Sequence, residues 1–154
     1  MLETSRNLLF ILFVTFGTIL LACANKQNGK APGNGDAIGS DTVLQAGKSL
    51  YASYCLSCHQ TDGSGVPGMV PPLTDTDWVI GDKKRLIESV LYGVKGEIEV
   101  NGVVYDQEMP PQDYLPDYEI AYILTYIRHE FGNGSSPVTE KEVAGLRKNE
   151  PNTE

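Results

Sequence analysis

What this chain lacks narrows it first. Three cysteines in 154 residues are too few for the disulfide framework of a small secreted domain. Cys55 and Cys58 stand together, while Cys23 lies far upstream. Two histidines, His59 and His129, leave a four-ligand zinc site without its other half. The apolar run Leu8 to Leu21 has 14 residues, short of the about 20 that a transmembrane helix needs. Basic residues number 12 against 20 acidic, a formal net charge of -8. That argues against nucleic acid or an anionic membrane surface as the main partner and suits a soluble domain that meets basic docking patches. No glycine-rich phosphate loop and no Ser-His-Asp constellation is present. The acidic pairs Glu97/Glu99 and Asp117/Glu119 read as solvated faces, so the chain is not read as an enzyme.

What is present centres on Cys55-Leu56-Ser57-Cys58-His59, a C-x-x-C-H run of the kind that attaches c-type haem. Two thiols one helical turn apart can reach the two vinyl groups on one edge of a porphyrin and form thioethers. The histidine that follows is carried beneath the iron, where a neutral imidazole nitrogen can bind it. One covalently attached haem c per chain is expected. A thioredoxin-like redox pair is a competing reading, but no βαβ context surrounds the motif.

The run Leu8 to Leu21 fits the apolar region of a secretory signal over residues 1–22. It closes with Leu20-Leu21-Ala22-Cys23, which resembles the bacterial lipobox and makes Cys23 the candidate lipidation site. An ordinary signal or an uncleaved anchor are the alternatives. Residues 23–40, rich in Gly, Asn and Lys, read as a flexible, lipid-anchored tether. This places the domain in the bacterial cell envelope, facing the periplasm or exterior.

A first helix is expected to open at Asp41 or Thr42 and to run into Cys55, with Gly47 in its interior pointing to close packing. An irregular loop, Gly63 to Leu73, follows. Asp82 caps a helix over Lys83 to Tyr92 with Leu86, Ile87, Val90 and Leu91 as its apolar face. Ile98 to Tyr105 alternates around Asn101-Gly102, a hairpin signal. Asp117 starts a last core helix, Tyr118 to Phe131. In the tail, residues 134–154, Thr139 and Glu142 form a capping box for a short helix.

A haem iron held by histidine needs a ligand or an opening on its other face. Met109, on a loop stiffened by Pro110-Pro111, is the candidate, because a thioether is a soft neutral ligand that raises the reduction potential. Met69 is its rival. His129 falls about 180° from Ile120 around the last helix and faces solvent. Tyr51, Tyr54, Tyr126 and Phe131 read as core packing. Trp78 and Tyr105 either pack or donate a hydrogen bond to a haem propionate.

Over residues 43–133 the sequence resembles the class I cytochromes c. Gly47 and Tyr51 stand eight and four residues before Cys55, where that family places a glycine and an aromatic against its last helix. Leu124-Thr125-Tyr126-Ile127 resembles the aromatic-bearing stretch of that helix, and Pro71-Pro72-Leu73 is similar to the family's Pro-x-Leu. By that resemblance the Pro71 carbonyl accepts the outer imidazole proton of His59, and Leu73 packs on the ring. The stretch from Val100 to Pro111 looks like bacterial monohaem respiratory cytochromes, with a hairpin inserted before the methionine. The reading is therefore an all-α haem domain, residues 41–133, with a small β-hairpin insertion. Its expected function is one-electron transfer between redox proteins, namely a respiratory oxidase, reductase or dehydrogenase. The alternatives are a subunit docked permanently in such a complex, and a haem enzyme or gas sensor with a labile sixth ligand.

Overall fold

The computed structural model describes residues 40–148. The expected signal, the lipidation site Cys23 and the tether up to residue 39 lie outside the described residues, as do residues 149–154.

Helix α1 (Ser40–Tyr54) begins one residue earlier than the sequence suggested, with Asp41 in its first turn, where a carboxylate meets the positive end of the helix dipole. It crosses α5 (Asp117–Glu130) at Gly47. A Cβ there would collide with the Tyr122 carbonyl oxygen and sit 2.8 Å from Tyr126 Cβ, so only a hydrogen fits. One turn on, the buried Tyr51 ring lies 5.5 Å from both Tyr126 and Phe131. Its hydroxyl donates to the Gln60 carbonyl at 2.6 Å. Burial, with Cys55 next in effect, raises its pKa well above the ordinary value, so it stays a donor.

The short helix α3 (Asp77–Ile80) was not anticipated, because four residues are too few to show a period. Thr76 caps it, its hydroxyl accepting from Val79 N at 3.3 Å. Helix α4 (Lys83–Tyr92) is capped by Asp82, whose carboxylate accepts from Lys84 N at 2.8 Å. Its four expected apolar residues are all buried. Strands β1 (Ile98–Val100) and β2 (Val103–Tyr105) pair antiparallel, with Val100 opposite Val103. Asn101 and Gly102 both have positive φ, 51° and 79°, as a two-residue primed turn requires.

Helix α5 starts at Asp117 with Pro116 in the cap position, and its side chain supplies no capping bond. Two expectations fail, one at the start of α5 and one at the end of α1. Asp117 is not a solvated carboxylate, since it pairs with Arg147 Nε at 2.6 Å. Tyr54 is not core, being 39% exposed and edge-on to Tyr114 at 6.3 Å. Helix α6 (Glu140–Arg147) carries the expected capping box of Thr139 and Glu142. The segment after residue 133 is no passive tail: Val138 and Val143 are buried in the same core as Leu91, Ile120 and Leu124.

Pattern reading also misses Arg128. It is only 3% exposed and donates to the carbonyls of Val79, Ile80, Gly81 and Ser136. These are the orphan acceptors at the end of α3 and in the C-terminal segment, and an unpaired buried carbonyl is costly. Among the described residues, no helix is long and apolar enough to cross a membrane.

Candidate functional site

The chain leaves α1 at Tyr54 and turns at once into α2 (Leu56–His59), with Cys55 in the cap position. Cys58 N and His59 N both donate to the Cys55 carbonyl, at 3.2 and 3.0 Å. One turn thus carries both thiols and the imidazole. All three line a cavity of about 310 Å³, together with Pro71, Leu73 and Met109. Val79, Leu86, Leu124 and Ile127 complete its apolar walls.

His59 Nδ1 lies 3.3 Å from the Pro71 carbonyl oxygen. A carbonyl can only accept, so Nδ1 carries the proton and Nε2 keeps the free lone pair. Burial lowers the His59 pKa below its ordinary value, while the Pro71 carbonyl pulls the other way. The ring is therefore neutral at pH 7, the form that ligates a metal. Gly65, at φ 66°, lets the loop pass so close that a Cβ would stand 2.6 Å from the Pro71 carbonyl oxygen. Gly65 N donates to the His59 carbonyl at 3.1 Å, and Leu73 N to that of Gly63 at 2.7 Å. The loop is tied to the turn it serves.

Burial, then Cys58, pushes the Cys55 thiol up to about 12. A redox pair needs the opposite, a thiol lowered into reactivity, which weighs against the thioredoxin-like reading. Among the described residues, no group of three or more His, Cys, Asp or Glu side chains is placed to hold a metal ion. A buried neutral imidazole beside two thiols in an apolar cavity does fit a covalently held porphyrin.

Met109 forms an antiparallel bridge with Val94, each amide donating to the other's carbonyl at 3.0 Å. Gly93, at φ 74°, lies under the Met109 carbonyl with no room for a Cβ. Met109 is half-buried and packed on the core. Met69 also borders the cavity but is 55% exposed. Trp78 lines the cavity too, yet its one donor, Nε1, goes to the Glu99 carbonyl at 2.9 Å. Arg85 lies over its ring at 4.5 Å. Trp78 therefore packs and fastens the hairpin to α3, its proton already used. Tyr105 is buried at 7% exposure. His129, in the last turn of α5, is exposed.

A helical frame with a two-strand hairpin, and two thiols with a neutral imidazole facing one apolar cavity, define a c-type haem protein. The family model described as cytochrome C oxidase, cbb3-type, subunit III matches residues 42–127. A cytochrome c-552 of Thermus thermophilus is 38% identical over 120 residues, covering 71% of this chain and 80% of that protein. A second Thermus thermophilus cytochrome c-552 is 39% identical over 110 residues, covering 66% and 83%. The gluconate 2-dehydrogenase cytochrome c subunit of Pantoea cypripedii is 37% identical over 114 residues, covering 69% of this chain but 25% of that protein. The chain belongs to the class I c-type cytochrome family, and it is an electron-carrying protein with covalently bound haem c.

Proposed function

We propose that this protein is a one-electron carrier of a bacterial respiratory chain, with thioether bonds at Cys55 and Cys58 and with His59 and Met109 as axial ligands. When bound, the haem supplies a one-electron iron couple. The chain's own residues set how that couple behaves. The Pro71 carbonyl, 3.3 Å from Nδ1, holds the imidazole in one tautomer and makes Nε2 the more basic nitrogen. The Met109 thioether favours the ferrous state and raises the potential. Its bridge to Val94 and the two following prolines leave the loop little freedom to rearrange. Leu73, Leu124 and Ile127, on the cavity walls, exclude water.

The observation that carries this reading is the cavity bordered jointly by Cys55, Cys58, His59 and Met109. Its chemistry favours a carrier over an enzyme. Among the described residues that line the cavity, Glu108 is the only carboxylate, and it is largely exposed and paired with Lys95 at 3.5 Å. A second reading, a subunit docked in a dehydrogenase or oxidase complex, is favoured by the similarity to the gluconate 2-dehydrogenase cytochrome c subunit. The lipobox-like Leu20-Leu21-Ala22-Cys23 supports a lipid anchor at Cys23 and a place in the cell envelope, facing the periplasm or exterior. The test is the absorption spectrum of the reduced protein with and without carbon monoxide. An unchanged spectrum is expected, since a ligated iron has no vacancy. A shifted spectrum would favour the enzyme or gas-sensor alternative.

A further inference from the structure

The segment holding the Met109 loop from both sides is far from it in sequence. Met109 pairs with Val94; two residues before Val94, the Tyr92 hydroxyl donates to the Leu146 carbonyl on α6 at 2.9 Å. On the far side of the loop, Arg147 spreads its guanidinium over three acceptors. Nε donates to the Asp117 carboxylate at 2.6 Å, Nη1 to the Asp113 carbonyl and Nη2 to the Leu115 carbonyl at 2.7 Å. A planar fork with fixed donor directions can span three such acceptors, which a single ammonium cannot. Adjacent residues Leu146 and Arg147 thus fasten both flanks of the loop. Helix α6 is seated independently, by the fully buried Val143 and, at its other end, by Lys83 on the Glu142 carboxylate at 3.1 Å.

We infer that α6 is a clasp on the methionine loop, and that Arg147 is the positioning residue that keeps the Met109 thioether from leaving the iron. This rests on the proposed ligation by Met109. The loop's own backbone bonds to the core are the two bridge bonds to Val94 and one from Gln112 N to the Val90 carbonyl at 2.8 Å, beside the packing of Met109 and the buried Leu115. Release of Met109 requires the loop to swing outward, and the residues it must carry along, 113–117, are those that Arg147 holds. Weakening the fork raises the population of the open loop without touching the cavity.

The experiment is stopped-flow binding of imidazole to the oxidised, haem-loaded protein, because imidazole enters only when the sixth ligand leaves. Arg147→Gln is expected to speed entry about tenfold or more, given the size of charge-assisted hydrogen bonds. Lys83→Met, which loosens the other end of α6, should change it less than about twofold. Tyr92→Phe deletes one hydroxyl on the opposite flank and is expected to speed entry by a smaller factor, so the inference stays testable even if Arg147→Gln does not fold. Entry unchanged in Arg147→Gln, or in Tyr92→Phe where only that variant folds, would overturn the clasp even if thermal stability fell. In a Met109→Ala background entry should already be fast, with Arg147→Gln adding nothing. Slow entry in Met109→Ala alone would refute the ligand assignment instead.

Discussion

Gly47→Ala pits two known effects against each other. In isolation the change favours the helix, by about 1 kcal/mol. In the fold, the added carbon meets the Tyr122 carbonyl and Tyr126 Cβ, both parts of α5 that no rotamer change can move aside. Helices α1 and α5 must separate, and that shift reaches the tilted and edge-on Tyr51, Tyr126 and Phe131 rings, now 5.5–5.9 Å apart. Overpacking of this kind costs about 1–3 kcal/mol and occasionally more. With backbone as the obstacle the upper end applies, leaving a net loss of about 2 kcal/mol. At about 4–8 °C per kcal/mol for a domain near this size, Tm falls by roughly 8–16 °C. The assay is thermal unfolding of the haem-loaded protein by circular dichroism, with haem content measured in parallel. Because α1 runs directly into Cys55, a lowered haem yield is expected as well. A Tm equal to or above that of the parent would show instead that helix propensity wins and the crossing has slack.

Burial raises the Glu142 carboxyl pKa, but hydrogen bonds from Thr139 and the Lys83 ammonium outweigh it and hold the group below its ordinary 4.5. A carboxyl lowered in the folded state contributes stability above its unfolded pKa and loses it as pH falls through the folded value. Tm should therefore decline on acidification below pH 4.5, and Glu142→Gln should flatten that decline; an unchanged pH slope in the variant would contradict this. Cys23→Ser should yield a haem-loaded protein in the soluble fraction, assayed by fractionation. Recovery entirely in membranes would favour an uncleaved anchor at Leu8 to Leu21.

Much of the frame was legible because each local signal had a single physical solution. Asn101-Gly102 between alternating apolar residues permits one tight turn, and Thr139 with Glu142 permits one reciprocal cap. Gly47 signalled a close approach without naming the atoms approached. The turn that carries Cys55, Cys58 and His59 to the cavity was legible in the same way, since C-x-x-C-H constrains three residues within one turn. What stayed hidden was long-range and mediated by side chains. Arg128 and Arg147 resemble solvated charges in sequence, and their acceptors lie 8–49 and 30–34 residues away. No periodicity records such a pairing. Tyr54 was misjudged because it follows Tyr51 by three residues and so shares its helix face, yet as the last residue of α1 it is exposed and meets the Tyr114 ring instead of the core.

The proposed haem site rests on ligation of the iron by His59 and Met109 within one cavity. Its most direct test is the absorption spectrum of the oxidised protein in Met109→Ala and Met69→Ala. Met109→Ala is expected to lose the weak iron–sulfur charge-transfer band and to lower the reduction potential, while Met69→Ala does neither. Loss of the band in Met69→Ala, with the band intact in Met109→Ala, would contradict it.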